Sequence, residues 1–333
     1  MKDYTPSLHA LSVVPMLILL LAALLDALIG DPWNWVHPVQ VMGWVIRHYC
    51  TLALKVCYRP IAQTLAGVGL ATILIVGSST IAYLLIQLAK TIHPVLGTAI
   101  EAVILASCFA GRSLRDAAHD VLNPVQTGDL ITARQMLSRY VGRDTQDLVE
   151  SEILRAVLET VAENGVDGVM APLFWAIVGA FTPVGPAVLA IAFKAASTLD
   201  SMVGYKKQPY RYLGTASAIT DDVLTFIPCR LMVLTLGIMK RHPLRLWKQC
   251  AKDGSQDPSP NSGWSECAYA VALRVQLGGP NTYQGISRPK PLLGTPVRAI
   301  TPEVVRSALL LNRRAFLSWL CFTAALYSMA MFS

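Results

Sequence analysis

Long apolar stretches alternate along the chain with shorter polar ones, which predicts helices that lie in a membrane. The clearest stretch runs from Leu65 to Leu88, and its small residues would let a neighbouring helix approach closely. Leu8 to Ile29 is long enough to span a bilayer and lacks a small-residue cleavage site, so we expect an uncleaved first helix. Leu96 to Ala110 and Ala315 to Phe332 are shorter apolar segments.

Two further apolar segments leave their relation to the membrane open. Val39 to Cys57 is moderately apolar and is expected to lie on the membrane or dip into it. Val169 to Thr198 is long enough for one tilted span, but Thr182 to Pro186 interrupts it with two prolines and a glycine. It is therefore either a tilted span or a re-entrant hairpin.

Two polar regions separate the apolar segments. Residues 111–162 alternate acidic and basic side chains, which predicts a solvated helical region. Residues 240–314 are strongly basic, and such a region tends to stay in the cytoplasm. Both regions are therefore expected to face the cytoplasm.

Composition agrees with this pattern, since hydrophobic residues make up 53% of the chain and charged residues only 15%. We predict one domain, residues 1–333, folded as an all-α polytopic membrane protein with about five to seven membrane-associated helices and two sizeable polar loops. The net charge of +7 is accompanied by no nucleic-acid-binding motif, so membrane lipid or phosphorylated substrates are the expected partners. The seven cysteines form no C-x-x-C pair and are expected to be reduced.

The helix predicted after Asp144, which could cap it, carries an apolar stripe and ends in an acidic segment. Glu163 falls in the last turn, where the helix dipole disfavours a carboxylate, and Asn164-Gly165 is a good C-terminal stop. Glu163 is either simply solvated or converges with Asn164 and Asp167 on a cation or a cationic substrate.

Lys194 and three aspartates lie in or beside the following apolar segments. Lys194 either extends to the membrane surface or is a buried cation that meets a phosphate or carboxylate. Asp221 and Asp222, with Asp200 nearby, suit Mg²⁺, which takes one or two carboxylates together with phosphate oxygens and waters. The alternative is that Asp221 caps the next helix.

Three loop segments are candidate ligand contacts. The basic region contains Asp257 to Glu266 and Leu277 to Tyr283, whose prolines, glycines and asparagines predict turns that present backbone N–H groups to an anion. An ordinary turn-rich loop is the alternative. His37, in the segment Gly30 to Pro38, is either a turn histidine or a substrate contact.

Several long motifs, in order, resemble the CbiB/CobD family of membrane-bound adenosylcobinamide-phosphate synthases. They are GDP-W-W-HPVQVMG from Gly30, GRDT from Gly142, AEN-G-DG-APLF from Ala162, FKA-STLDSM-GY from Phe193, DD...IP-RL from Asp221, and SPNSGW and LGGPN-Y in the basic region. The resemblance covers nearly the whole chain. Departures from the family pattern are Phe193, Ser197 and the segment Ile219-Thr220, which concern substrate fit more than the reaction.

The resemblance implies ATP-dependent amide formation between adenosylcobyric acid, a corrinoid, and aminopropanol phosphate or a related amino-alcohol phosphate. ATP and Mg²⁺ would be the cofactors, although the chain lacks the G-x-x-x-x-G-K-[ST] phosphate loop. A multi-pass protein of the cell inner (plasma) membrane is implied, with its active side cytoplasmic. Homo-oligomers, or contacts with other cobalamin-pathway membrane enzymes, are open alternatives.

Residue roles follow from the motifs and the charge pattern together. We expect Glu163, Asn164, Asp167, Lys194 and Asp200 to be catalytic, and Asp200, Asp221 and Asp222 to bind the metal. The expected substrate and phosphate contacts are His37, Arg143, Asp144, Tyr205, Lys206, Arg211, Asn261, Trp264, Asn281 and Tyr283.

We also expect the segment Ser259 to Trp264 to be a mobile cover over the corrinoid or the phosphate, on which Trp264 and Tyr283 can stack. The functional alternatives are a non-catalytic membrane signalling protein like AmpE, or a small-solute transporter. Retention of Glu163, Asp167, Lys194 and Asp200 speaks against a signalling protein. The sequence shows no clear inverted halves, which speaks against a transporter.

Overall fold

The apolar stretches form helices in the computed structural model, which describes residues 13–30, 37–205 and 207–332. The helices are α1 (Val14–Leu28), α2 (Pro38–Val56), α3 (Pro60–Ile92), α4 (Pro94–Ala106), α5 (Gly111–Gln126), α6 (Leu130–Leu137), α7 (Glu150–Asn164), α8 (Ala171–Ala180), α9 (Pro186–Val203), α10 (Thr215–Met239), α11 (Pro243–Asp253), α12 (Ser262–Leu273) and α13 (Pro302–Phe332). A π-helix, Gly165–Met170, joins α7 to α8, and a 3-10 turn, Gly254–Gln256, follows α11. Strands β1 (Gln276–Tyr283) and β2 (Ile286–Gly294) pair as an antiparallel hairpin.

The prediction of an all-α polytopic membrane protein is confirmed, with the β-hairpin as an addition that the hydrophobic pattern did not reveal. Within the described residues, four stretches are long and apolar enough to cross a membrane: Pro60–Ile92, Pro94–Gln126, Pro186–Val203 and Thr215–Met239. The second comprises α4 and α5, with a break at residues 107–110. The predicted first helix corresponds to α1, a shorter apolar helix, and its beginning at Leu8 lies outside the described residues.

The stretch from Val169 to Thr198 is two packed helices and not one tilted span. Helix α8 ends at Ala180 and α9 begins at Pro186. Gly185 has a φ of 95°, a conformation that glycine adopts without strain. A Cβ atom on Gly179 would lie 2.4 Å from the Gly185 carbonyl oxygen, so the close approach of the two helix ends requires glycine there. The proline-glycine interruption thus becomes a tight interhelical turn.

An ion pair fixes the α3–α4 hairpin against this turn. Glu101 is buried on α4 and accepts a hydrogen bond of 3.1 Å from the Lys90 ammonium on α3. Its carboxylate also lies against Gly185, where a Cβ atom would come within 2.7 Å of it. A charged carboxylate buried among apolar helices needs such a partner. The pair therefore joins two helical hairpins at one end of the helical body.

The two polar regions of the chain pack against each other. Glu159 on α7 is buried and forms ion pairs with Arg143 and, at 3.3 Å, with Arg155. Its carboxylate also accepts the backbone N–H of Gly278 in β1 at 3.0 Å, and Arg155 donates to the Gly278 carbonyl at 2.6 Å. The β-hairpin is thus held on α7, which places both polar regions on the same side of the helical body.

Three local expectations about helix ends are wrong. Asp144 does not cap α7, which begins six residues later; it accepts hydrogen bonds from the backbone N–H groups of Gln284 (3.0 Å) and Gly285 (2.8 Å) at the hairpin turn. Asn164-Gly165 does not stop the helix, because the backbone continues as the π-helix. Asp221 does not cap α10 either, because that helix already begins at Thr215. For Asp144, binding to a distant hairpin turn overrides the local signal.

The contacts between the polar regions predict that both lie on one side of the membrane. Cysteines introduced at the exposed positions Gln146 and Lys252, with Cys57 and Cys321 replaced by serine, should react with a membrane-impermeant thiol reagent from the same side. A cysteine at His93, in the turn between α3 and α4, is the control and should react from the opposite side. Labelling of Gln146 and Lys252 positions from different sides of intact vesicles would contradict the packing.

Candidate functional site

The π-helix Gly165–Met170 brings two carboxylates of the acidic segment together. A π-turn takes one residue more than an α-turn and changes which side chains share a face, and such turns occur often at functional sites. Glu163 and Asp167 are close enough to repel each other here. Asn164 is not part of this pair: its side chain is exposed and donates to the Thr160 carbonyl at 3.0 Å. The structure therefore brings together two of the three residues that were expected to converge, and a catalytic role for each of the three stays a prediction.

Glycines let neighbouring helices reach the π-helix. A Cβ atom on Gly165 would lie 3.1 Å from the Tyr269 hydroxyl of α12 and 3.4 Å from the Asn312 amide of α13. Gly168 accepts a backbone hydrogen bond of 2.9 Å from Ala110, at the beginning of α5. The acidic segment therefore has a fixed position within the helical body.

Aspartates from two other helices join the pair. Asp200 lies in the last turns of α9, where a Cβ atom on Gly204 would clash with its carboxylate. Asp221 and Asp222 lie in the second turn of α10. Repulsion links Asp221 to Asp167 and Asp200, and Asp222 to Asp200. We call Glu163, Asp167, Asp200, Asp221 and Asp222 the carboxylate cluster; the structure thus brings the predicted metal ligands and the predicted catalytic acids together.

Lys194 is one cation of this cluster, because its ammonium acts on Asp167 against the repulsion of the neighbouring acids. Burial, together with the carboxylates of Asp221 and Glu163, raises the pKa of Asp167 well above its usual value. Burial also raises the pKa of Glu163. Lys290 and Arg143 oppose this rise at Glu163, so Lys194 is not the only cation that acts on the cluster.

The donor set of the cluster fits a hard divalent cation. Among the described residues, no three His, Cys, Asp or Glu side chains are already arranged to hold a metal ion. One buried carboxylate oxygen of Asp221, however, has no hydrogen-bond partner. Carboxylate oxygens are the ligands that Mg²⁺ prefers, and it completes its shell with phosphate oxygens and waters. Asp200, Asp221 and Asp222 would be the residues that hold it.

A buried pair that the sequence analysis did not identify lies beside Glu163. Glu266 on α12 is fully buried, and the Lys290 ammonium of β2 lies 2.5 Å from its carboxylate and 3.8 Å from that of Asp257. Burial raises the pKa of Glu266 to about 8. Burial lowers the pKa of Lys290, but Glu266, Glu163 and Asp257 together outweigh this and raise it. The signal in the sequence was a lone acid in the otherwise uncharged segment Ser262–Leu273.

The segment Ser259 to Trp264 is fixed to α10. Asn261 is buried; its amide donates to the Asp222 carbonyl at 2.9 Å and accepts from the Arg230 guanidinium at 2.5 Å. The same guanidinium stacks over the rings of Phe226 (3.9 Å) and Trp264 (4.6 Å). The expected mobile cover is therefore a packed junction in this structure. Arg230, which sequence analysis did not single out, is its centre.

The remaining predicted contacts fall into two groups. Arg143, Asp144 and Asn281 are bound within the protein, since Arg143 donates to the Asn281 amide oxygen at 2.9 Å and Asp144 holds the hairpin turn. Tyr283 packs beneath the Arg288 guanidinium. His37 accepts the Val39 N–H at 3.3 Å as the N-cap of α2.

Two residues predicted to contact phosphate, Tyr205 and Arg211, are exposed and lie in the segment between α9 and α10. Tyr205 is exposed and donates to the Ser201 carbonyl at 2.9 Å, and Arg211 is exposed beside Tyr212. The prediction for Lys206 lies outside the described residues. A phosphate role for Tyr205 and Arg211 stays a prediction.

The pair of Glu266 and Lys290 generates a pH-dependent prediction. Lys290→Met leaves Glu266 and Glu163 without their shared cation, so their folded-state pKa values rise further above the unfolded values. The folded protein then binds more protons than the unfolded one, and its stability falls as the pH rises from about 5 to 8. We expect a loss of about 3 kcal/mol at pH 8 and a much smaller loss at pH 5, measured by thermal unfolding in detergent.

The matched control is the double variant Glu266→Gln/Lys290→Met. It removes both partners, so no unpaired charge remains at this position, and it should recover most of the stability that Lys290→Met loses at pH 8. An equal loss at both pH values, or no recovery in the double variant, would show that packing and not charge explains the effect.

Comparison with known proteins identifies the family. A family model described as CobD/Cbib protein matches residues 19–312. The cobalamin biosynthesis protein CobD of Synechocystis sp. is 49% identical over 318 residues, covering 95% of this chain and 92% of that protein. The cobalamin biosynthesis protein CbiB of Salmonella arizonae is 42% identical over 311 residues, covering 92% of this chain and 93% of that one.

A third relative, the cobalamin biosynthesis protein CobD of Klebsiella pneumoniae, is 40% identical over 310 residues. No solved structure matches the chain. The family match begins within α1 and ends in the first half of α13, and therefore includes the whole carboxylate cluster. The chain belongs to the CobD/CbiB protein family.

Proposed function

We propose that this protein acts in cobalamin biosynthesis and joins adenosylcobyric acid to aminopropanol phosphate, or a related amino-alcohol phosphate, in an ATP-dependent amide-forming reaction. The relatives named as cobalamin biosynthesis proteins support the pathway, and the motif resemblance supports the reaction. The observation that carries the proposal is the carboxylate cluster, which gathers five acids from three helical segments beside Lys194.

Amide formation needs an oxygen of the substrate carboxylate to become a leaving group. That oxygen would take a phosphoryl or adenylyl group from ATP, with release of ADP or diphosphate, and would leave as phosphate or AMP when the amine nitrogen bonds to the acyl carbon. Mg²⁺ bound by Asp200, Asp221 and Asp222 would neutralise phosphate charge when ATP is present. Lys194 and Arg211 are the side chains proposed to meet phosphate oxygens, with Lys206 beside them in sequence. Their positive charge would balance the phosphates beside an otherwise acidic cluster.

The attacking amine must lose protons as its nitrogen bonds to the acyl carbon. Asp167 is the proposed acceptor of this proton, because burial and its acidic neighbours raise its pKa toward the working range of a general base. Glu163 lies beside it and shares the burial. The helices around the π-helix keep water away from the acyl group, which would otherwise be hydrolysed.

The cluster lies at the boundary between apolar helices and the polar regions. We propose that this side faces the cytoplasm, where ATP is available and where basic regions such as residues 240–314 tend to remain. The protein would then be a multi-pass protein of the inner (plasma) membrane. Its large corrinoid substrate would approach from the cytoplasmic side.

The direct test is a reaction with purified protein. Incubation with ATP, Mg²⁺, adenosylcobyric acid and aminopropanol phosphate should yield the amide, detected by mass spectrometry, and omission of ATP or Mg²⁺ should abolish it. A folded sample that forms no product from any amino-alcohol phosphate would overturn the proposal and favour a non-catalytic or transport role.

Neutral substitutions in the carboxylate cluster should separate catalysis from folding. Asp200→Asn and Asp221→Asn should each lower turnover by about 100-fold or more, because they remove oxygen ligands. Their unfolding midpoints should stay the same or rise, because each removes repulsion among buried acids. Turnover and thermal unfolding are measured on the same samples.

The exposed Asp147, in the loop before α7, provides the matched control. Asp147→Asn makes the same change of charge and should leave turnover within about twofold of the parent, as expected for a surface position without a built contact. Near-normal turnover in Asp200→Asn, Glu163→Gln and Lys194→Met together would place the chemistry in another part of the chain.

A further inference from the structure

A cavity separate from the carboxylate cluster lies between α1, α5 and α13. Its volume is about 520 Å³, and none of the predicted site residues lines it. Val169 of the π-helix forms part of its wall. Nothing in the proposed reaction uses this cavity.

The cavity has one apolar end and one basic end. Leu20 and Leu24 of α1 and Phe316, Leu317 and Leu320 of α13 line the apolar end. Leu20, Leu24 and Leu317 are exposed side chains, about half accessible. The apolar end therefore opens on a surface suited to the hydrocarbon of a membrane.

The basic end is formed by the beginning of α5 and the first half of α13. Four arginines line it, against one aspartate: Arg112, Arg115, Arg306, Arg313 and Asp26. His119 lies with them. The arrangement thus combines an apolar groove with an excess of positive charge at one end.

The charges at this end are unevenly partnered within the protein. Arg112 donates to the Leu28 carbonyl at 2.6 Å and pairs with Asp116 at 3.3 Å, and Arg306 pairs with Glu303 at 3.4 Å. Arg313 is exposed, and among the described residues no hydrogen bond or ion pair is seen for it. The Asp26 carboxylate faces the backbone N–H of Arg112, at 3.5 Å, at the first turn of α5. Positive charge therefore remains available for an external anion.

We propose that this cavity binds one anionic phospholipid, with an acyl chain between α1 and α13 and the headgroup phosphate at Arg313 and Arg306. Charge complementarity selects this occupant: a phosphodiester is the negative group that membrane lipids place beside hydrocarbon, and basic pockets between membrane helices recognise it. Arginine also offers several donors in a fixed plane, which matches phosphate oxygens. The order of residues along α13, basic first and apolar after, follows the order of groups along a lipid.

The test measures lipid retained by the purified full-length protein. Protein reconstituted into nanodiscs of phosphatidylcholine with 20% phosphatidylglycerol, then released into mild detergent, should retain about one phosphatidylglycerol per chain in native mass spectrometry. Arg306→Gln/Arg313→Gln should lower the retained fraction by roughly 10- to 30-fold, since each basic side chain near a lipid surface contributes several-fold to binding.

Two controls separate a built site from general attraction. Arg314→Gln removes one positive charge at a position of α13 that does not line the cavity and should retain the lipid, whereas Arg313→Gln, with the same change of charge at the adjacent position, should lower retention several-fold. Leu317→Trp fills the apolar end without a change of charge and should displace it. Equal loss in Arg314→Gln, or unchanged retention in Leu317→Trp, would overturn the proposal in favour of a non-specific lipid shell.

A further arm distinguishes the lipid from a soluble phosphate compound. Inorganic phosphate and aminopropanol phosphate at millimolar concentration should not displace the retained phosphatidylglycerol. Displacement by either would assign the basic end to a soluble anion instead. The lipid proposal does not depend on the proposed reaction, because retention is measured without turnover.

Discussion

The mutual repulsion of five buried or half-buried carboxylates is the constraint on which the centre of this structure depends. Glu163 and Asp167 come from one continuous helical segment, Asp200 from α9, and Asp221 with Asp222 from α10. Burial and repulsion both oppose ionisation of such a group, and they outweigh the positive charge of Lys194 at Asp167 and of Lys290 and Arg143 at Glu163. A fold retains such an arrangement where the surrounding packing compensates for it, and unfavourable clusters of this kind concentrate at functional sites.

The polar regions, which pack on one side of the helical body, supply partners for the buried acids there. Glu159 is fully partnered, since Arg143, Arg155 and the Gly278 N–H all bind its carboxylate. Lys290 forms an ion pair with Glu266 on α12, and the same helix places Tyr269 beside the π-helix. The β-hairpin therefore stabilises buried acids of the helical body. Its Lys290 pairs with Glu266 on α12, and its Gly278 N–H donates to Glu159 on α7.

Hydrophobic patterning predicted the membrane helices well because burial in lipid and burial in protein both require apolar side chains, as in the span from Leu65 to Leu88. It failed where a local signal competes with distant packing. Asp144 looks like a helix cap from its neighbours, yet it holds a hairpin turn 140 residues away in sequence. Glu266 and Lys290 are separated by 24 residues on different elements, so no local spacing connects them. The acids of the cluster could be named from their unusual positions, but their convergence depends on tertiary structure.

The π-helix Gly165–Met170 both positions an acid of the carboxylate cluster and packs against neighbouring helices. A strictly α-helical continuation would rotate Asp167 relative to Glu163, so the extra residue in the turn decides which acids face Asp221 and Lys194. Gly165 and Gly168 admit α12, α13 and α5 at distances that a side chain would prevent or crowd. Val169, two residues after Asp167, forms part of the wall of the amphipathic cavity. One six-residue segment thus contacts both the carboxylate cluster and the cavity, so a shift of α1 or α13 around the cavity changes the packing of the segment that positions Asp167.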